Sequence, residues 1–211
     1  MTGGARAGGG RADRADPTGR AGRSGEGPSA AAGSGGRGTI WLTGMMGAGK
    51  SSVGPRLAVR LGKRFVDTDQ EIEQGAGCSI ADLFAREGEA AFRARERALI
   101  ERLAGAPLVV ALGGGAVAQP GALELLAARG TVVYLRARPE TLLARVADAE
   151  TRPLLRGLSR RARLARLAAL LAEREPHYAS ASIVVDTDGA EVEHVVERLA
   201  ERLAAAEARP S

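Results

Sequence analysis

The 211-residue chain suits one domain, or one domain with an appendage, and its 45% hydrophobic content can supply a buried core. Its net charge of +5 suggests a polyanion partner, but only six aromatic residues occur, so the stacking surface of a single-stranded nucleic-acid binder is hard to assemble. One cysteine, Cys78, excludes an internal disulfide and favours a cytoplasmic setting, and no apolar run reaches the roughly 18 residues of a membrane span.

Residues 1–38 form a leader rich in Gly, Ala, Arg and Ser. It carries six Arg against three acidic residues, so it supplies +3 of the net charge and leaves the body close to neutral. Its apolar content is too low to offset the entropy of ordering, which predicts a disordered segment. A solvated flexible tail explains this charge better than a nucleic-acid site does, and we expect no nucleic-acid partner.

At Thr39 the sequence changes to short apolar runs separated by amphipathic stretches, the alternation of a parallel-sheet α/β domain over residues 39–211. Strands are predicted at 39–42, 64–67, 108–112, 131–135 and 183–186. Helices are predicted at 50–61, 79–86, 89–104, 120–129, 139–147, 159–174 and 190–206. Residues 150–158 contain Pro and Gly without a clear period, which predicts a mobile surface loop.

The loop after the first strand fits the pattern G-x-x-x-x-G-K-[ST] and lies between a strand and a helix. Such a loop surrounds the β- and γ-phosphates of a nucleotide with backbone amides at a helix N-terminus. Lys50 would add a mobile positive charge and Ser51 a Mg²⁺ ligand. Only two of the 30 basic residues are Lys, so arginine would be the expected basic residue at an ordinary position. A lysine at position 50 therefore indicates a site that fits a compact ammonium group but not a guanidinium group.

The nucleotide-binding residues are predicted to be Gly47, Ala48, Gly49, Lys50, Ser51 and Ser52. A Gly-rich turn that only caps a helix is the alternative.

Two further patterns separate the classes of nucleotide-binding protein. A GTPase would ordinarily carry Asn-Lys-x-Asp to specify guanine, and neither Lys50 nor Lys63 lies in that context. A motor ATPase would usually end its third strand in an acidic residue, but here that strand runs into glycines. Both classes are disfavoured.

Asp67 and Asp69 follow the second strand, at the end of the sheet where ligands bind in open α/β folds. Strand alternation would point both carboxylates one way and Thr68 the other. One carboxylate near Mg²⁺ and one near a substrate hydroxyl suit phosphoryl transfer to an alcohol. The alternative is that both residues turn the chain and cap a helix entered at Gln70.

Arg93 and Glu96 are spaced to share a helical face, so Glu96 could orient Arg93 as a clamp for an anionic substrate. An ordinary surface pair is the alternative, and it would add little stability. After the third strand, Gly113, Gly114 and Gly115 offer backbone amides with no side chains in the way, or else form an ordinary turn.

These motifs together resemble the shikimate kinase family. The likeness extends over residues 39–203 and adds Thr151-Arg152-Pro153-Leu154-Leu155 and Arg174-Glu175-Pro176-His177-Tyr178 to the patterns above. It implies a three-layer α/β/α fold of the P-loop nucleoside-monophosphate-kinase type, with a five-stranded parallel sheet of order 2-3-1-4-5. It also implies an enzymatic activity, the transfer of the ATP γ-phosphoryl group to the 3-hydroxyl of shikimate.

The resemblance also implies the site. Substrate would be held by Asp69, Arg93, Gly113, Gly114, Gly115 and Arg174, with both arginines on its carboxylate and Asp69 on the accepting hydroxyl. Arg152, in a lid around residues 150–158, would reach the phosphates and act in catalysis with Lys50 and Asp69. Arg145 would lie near adenine, and Mg²⁺ would be held by Ser51 and, through water, Asp67.

The chain departs from the family after its last strand, where Asp186-Thr187-Asp188-Gly189-Ala190 replaces a loop that commonly carries a basic residue. The adenine contacts there stay unassigned. Two other functions remain open: a kinase for another small acid such as gluconate, and a nucleotide-dependent RNA binder that uses the leader. The shikimate kinase hypothesis predicts a monomeric cytoplasmic enzyme with ATP and shikimate as ligands.

Overall fold

Five short apolar segments form one parallel sheet in the computed structural model, which describes residues 38–146 and 154–208. The sheet order is β2-β3-β1-β4-β5, which confirms the expected 2-3-1-4-5. The strands are β1 (Thr39–Thr43), β2 (Arg64–Asp67), β3 (Leu108–Ala111), β4 (Gly130–Arg136) and β5 (Ile183–Asp186). The predicted leader, apart from Gly38, and Arg152 of the predicted lid lie outside the described residues.

The register of the strands brings their carboxyl ends to one edge of the sheet. Leu42 of β1 and Asp67 of β2 both align with Ala111 of β3, while Thr43 aligns with Tyr134 of β4. Every residue of β1 and β3 is buried, as is typical of central parallel strands. The loops that follow β1, β2 and β3 are therefore neighbours.

Seven α-helices and one short 3₁₀ helix are found in the described residues. They are α1 (Lys50–Arg60), α2 (Thr68–Ala76), α3 (Ile80–Leu103), the 3₁₀ helix (Ala116–Ala118), α4 (Ala122–Arg129), α5 (Pro139–Arg145), α6 (Arg160–Ala179) and α7 (Val192–Glu207). The β1–β2 crossover runs across the sheet in the opposite direction to the β3–β4 crossover, so right-handed connections place α1 and α4 on opposite faces. Contacts agree, because α1 packs on α7 and α4 packs near α3. None of the helices in the described part of the chain is long and apolar enough to cross a membrane.

The second helical region agrees with its prediction in its break and differs in one helix start. The two helices predicted at 79–86 and 89–104 lie within the range of α3 and are separated by non-helical backbone at Gly88, where φ is 83°. Helix α2 was predicted only as a helix entered at Gln70 if the aspartates capped it. It begins at Thr68 because the Asp67 side chain accepts hydrogen bonds from the amides of Asp69 and Gln70.

Two other helix boundaries are also corrected. Helix α4 begins at Ala122 and not at Pro120, since Gly121 at its N-cap has a left-handed backbone with φ of 73°. Helix α6 does not stop at Arg174 but continues through Pro176 to Ala179. The extra turn buries Tyr178 completely, and this packing outweighs the unfavourable proline.

The outer edge of β5 is covered by arginines. Arg202 of α7 donates a 2.6 Å hydrogen bond to the Val184 carbonyl, and Arg198 donates to the Asp186 carbonyl. Val184 and Asp186 lie two positions apart in β5, so their carbonyls point the same way, away from β4.

We expect Gly130→Ala to lower the free energy of unfolding by about 3 kcal/mol, because a Cβ there would overpack the junction of β1 and β4. That atom would lie 2.0 Å from the Thr39 carbonyl oxygen and 2.9 Å from Nε1 of Trp41. Gly75→Ala in α2 is the matched control, since its Cβ meets no atom within 4 Å. Chemical denaturation should show the control to be neutral or slightly stabilised. Equal stabilities for the two variants would contradict the steric argument.

Candidate active site

The loop between β1 and α1 leads directly into a helix N-terminus that no side chain caps. Gly49, the N-cap of α1, has a φ of 102° and provides no side-chain cap, and the first turn contains no acidic residue. The first amides of an α-helix point out of its N-terminus, and with the helix dipole they make such an end suited to binding an anion. A Cβ at Gly47 would lie 2.6 Å from the Leu142 carbonyl, so α5 approaches too closely for any larger residue.

The Lys50 amine lies inside this loop. Its Nζ donates to the carbonyls of Gly44 at 2.7 Å and Met45 at 3.1 Å. The amides of Ala48 and Ser52 are engaged in the turns of the loop itself, with the Met45 and Gly49 carbonyls. Lys50 therefore braces the loop as well as placing a positive charge at the helix N-terminus.

Ser51 and Asp67 form the polar pair expected of a Mg²⁺ site. The Ser51 hydroxyl donates to Oδ2 of Asp67 over 3.3 Å, while Oδ1 of the same carboxylate caps α2. The capping role of Asp67 is therefore confirmed for one oxygen, while the other faces Ser51 and its part in a Mg²⁺ site stays a prediction. Residues 38–146 and 154–208 contain no group of three or more His, Cys, Asp or Glu that could hold a metal. A hydroxyl and a carboxylate fit a Mg²⁺ ion that takes its other ligands from phosphates and water.

Asp69 lies at the site, but it is placed there by a helix and not by the strand that was predicted to place it. Strand alternation does not apply, because β2 ends at Asp67 and Asp69 lies in the first turn of α2. Buried Thr68 instead joins the two strand ends, donating to the Ala111 carbonyl and accepting from the Gly113 amide at 3.1 Å. Oδ1 of Asp69 lies 2.7 Å from where a Cβ on Gly113 would be, so Asp69 covers the first glycine of the run.

Arg93 and Glu96 form the predicted pair, and most of Glu96 is buried. Nη1 of Arg93 donates to Oε2 of Glu96 at 2.7 Å, while Nε and Nη2 contact Glu89. Glu96 is 2% exposed, and its Oε1 has no hydrogen-bond partner in the described residues. Burial raises the pKa of Glu96; the ion pair with Arg93 opposes that rise, and nearby Asp69 adds to it.

The glycine run lies between two guanidinium groups. A Cβ on Gly115 would lie 2.8 Å from Nη2 of Arg93, and Nη1 of Arg174 donates to the Gly114 carbonyl at 3.1 Å. The structure therefore places Arg93, Arg174 and Asp69 beside three consecutive glycines. The arrangement is suited to a small molecule with one anionic group and one hydroxyl.

Arg145 connects α5 to the loop after β5. Its Nη1 donates to Oγ1 of Thr187 at 2.8 Å, and Thr187 in turn lies 3.4 Å from the Ala48 carbonyl of the phosphate-binding loop. Asp188 is held by the Arg138 amide and side chain. The two segments expected to flank adenine therefore meet beside the phosphate-binding loop, although residues 147–153 between α5 and α6 lie outside the described residues.

The sequence analysis did not single out two buried side chains of the site. Tyr178 donates to the Gly114 carbonyl and stacks on Tyr134 with ring centroids 5.0 Å apart. Met45, treated only as part of the loop pattern, is buried with its Sδ 3.5 Å from the Tyr178 hydroxyl. A signal for Tyr178 was present, because it follows Arg174 by four residues and so shares its helical face.

Comparisons with known proteins point to one family. A family model described as "Shikimate kinase" matches residues 46–204. A shikimate kinase from Paramagnetospirillum magneticum is 49% identical over 166 residues, which cover 78% of this chain and 84% of that protein. A structure of shikimate kinase from Acinetobacter baumannii in complex with shikimate is 35% identical, with a TM-score of 0.77, and covers 83% of this chain and 98% of its own. A gluconokinase from Sinorhizobium meliloti, 20% identical with a TM-score of 0.52 over 81% of this chain and 94% of its own, shares the fold.

Proposed function

The chain belongs to the shikimate kinase family of ATP-dependent kinases, and we propose that its site transfers the ATP γ-phosphoryl group to the 3-hydroxyl of shikimate. The products are shikimate 3-phosphate and ADP, in a step of chorismate and aromatic amino acid biosynthesis. One observation supports this substrate most directly. Arg93 and Arg174 approach neighbouring glycines from two helices, and Asp69 lies over the glycine before them.

The phosphate side of the reaction relies on positioning and charge. The amides at the start of α1 bind the phosphates, and Lys50 turns its amine from the Gly44 and Met45 carbonyls toward the transferring group. Ser51 and Asp67 would hold Mg²⁺, directly and through water respectively. When bound, the ion neutralises charge on the β- and γ-phosphates.

The acceptor side orients one hydroxyl. Arg93 and Arg174 bind the shikimate carboxylate with planar forks of donors, and the glycine run lets the ring approach the backbone. Asp69 accepts the proton of the attacking hydroxyl. Glu96 keeps Arg93 in place through their 2.7 Å ion pair.

Two residues complete the proposed nucleotide site. Arg145, next to Thr187, would contact adenine. Arg152 would reach the phosphates from the lid and stabilise the charge that redistributes during transfer.

A coupled ADP-release assay with a panel of hydroxy acids tests the function. We expect shikimate to stimulate ADP release in the presence of Mg²⁺, and gluconate or the absence of an acceptor to give only background. Chelation of Mg²⁺ should remove the stimulated rate. Stimulation by gluconate but not by shikimate would refute the proposal and favour the related small-acid kinase.

A further inference from the structure

The Gly114 carbonyl accepts hydrogen bonds from two side chains of α6. One donor is the hydroxyl of Tyr178, and the other is Nη1 of Arg174 at 3.1 Å. The two residues are one helical turn apart, so both reach the same backbone group. If Arg174 turns to a substrate carboxylate, Tyr178 remains on the carbonyl.

The orientation of this carbonyl also sets the direction of the next amide. All described peptide bonds are trans, so the Gly115 N–H points opposite to the Gly114 C=O. It therefore points away from Tyr178. The Arg93 guanidinium lies beside Gly115, and no hydrogen bond is donated by the Gly114 or Gly115 amide to any residue within the described ranges. The Gly115 amide is thus available to the anion that Arg93 binds.

The Tyr178 hydroxyl is itself held in place. Its side chain is fully buried, and its ring stacks on Tyr134, whose hydroxyl donates to Oε2 of Glu175 at 2.6 Å. Burial also raises the pKa of Tyr178, so the hydroxyl keeps its proton at neutral pH and remains a donor. These contacts hold the ring in place.

We propose that Tyr178 is a positioning residue for substrate binding, which holds the Gly114 carbonyl so that Arg174 can engage the substrate carboxylate without leaving that carbonyl unpaired. It also fixes the orientation of the peptide group between Gly114 and Gly115, beside Arg93. The inference rests on the proposed function. Without the hydroxyl, a turn of Arg174 to the substrate would leave the Gly114 carbonyl without a hydrogen bond. Substrate binding would therefore weaken.

Tyr178→Phe tests this role because it keeps the ring stack and removes only the hydroxyl. We expect the shikimate Kd and KM to rise about tenfold, the factor that corresponds to one lost hydrogen bond, with kcat and the ATP Kd little changed. Tyr134→Phe is the matched control, since it removes a hydroxyl from the same stack without touching Gly114. Calorimetry for both ligands and the melting temperature should be measured for each variant.

The outcomes separate this inference from the proposed function. If the wild-type protein shows no shikimate-dependent turnover, the proposed function fails. If the wild type is active and Tyr178→Phe lowers only the melting temperature, Tyr178 is merely structural and the inference is wrong. A rise in shikimate Kd that is equal in Tyr134→Phe also overturns it, because the effect would then come from loosening the tyrosine stack.

Discussion

Lys50→Met is expected to lower kcat by about 10²- to 10³-fold, because the variant lacks the charge that faces the transferred phosphoryl group. The apolar chain of Met fills similar space but donates no hydrogen bond. Since Lys50 also braces the Gly44 and Met45 carbonyls, a modest loss of stability should accompany the loss of rate. Turnover is measured by the coupled ADP assay and folding by circular dichroism and thermal melting.

Lys63→Met is the matched control, because Lys63 is the other lysine of the chain and lies outside the site. Its Nζ donates to the Gly38 carbonyl at the amino end of the sheet, and burial lowers its pKa. The control should keep the wild-type kcat. A folded Lys50→Met variant with a near-normal rate would refute the role of the phosphate-binding loop.

The second large effect is expected from Arg93→Ala and Arg174→Ala. Each should weaken shikimate binding by about 2–4 kcal/mol, because the substrate carboxylate would lose a charge-assisted partner in a desolvated site. Replacement of either arginine by Lys should recover only part of the loss, since an ammonium lacks the planar fork. The ATP Kd, measured without shikimate, should change little in all four variants.

Arg97→Ala provides the control on the same helix. Arg97 lies one turn from Arg93, is largely exposed and pairs with Glu101, so it should contribute nothing measurable to shikimate binding. Unchanged shikimate affinity in Arg93→Ala and Arg174→Ala would disprove the carboxylate clamp. Equal losses in Arg97→Ala would assign the effect to α3 as a whole.

Much of the fold was predictable because each strand is a short apolar run between polar turns. The bounds of β2 and β5 agree with the prediction, and the order of the sheet followed from the family resemblance. Helix α2 was harder to predict, since Asp67 ends a strand and caps a helix within one residue. The extension of α6 past Pro176 depends on the burial of Tyr178, which local propensity does not report.

The site was predictable where its residues carry charge or follow a strong pattern. Lys50 lies in the predicted loop, Asp67 lies at the end of β2, and Arg93 pairs with Glu96 as their helical spacing suggested. Tyr178 and Thr68 were missed because their partners are backbone groups 64 and 45 residues away in sequence. Bonds to distant backbone leave no pairwise signal in a single sequence, so the spacing of Tyr178 from Arg174 was the one available indication of its place in the site.

The arginines on the outer edge of β5 also affect how copies of the protein meet. An unpaired parallel strand normally offers its carbonyls to a strand from another molecule, which is a common start of aggregation. Here an incoming strand would have to displace Arg198 and Arg202 from the Asp186 and Val184 carbonyls and then lie against their charges. Helix α7 thus closes this side of the sheet to intermolecular growth, and the protein should tolerate high concentration without polymerising through β5.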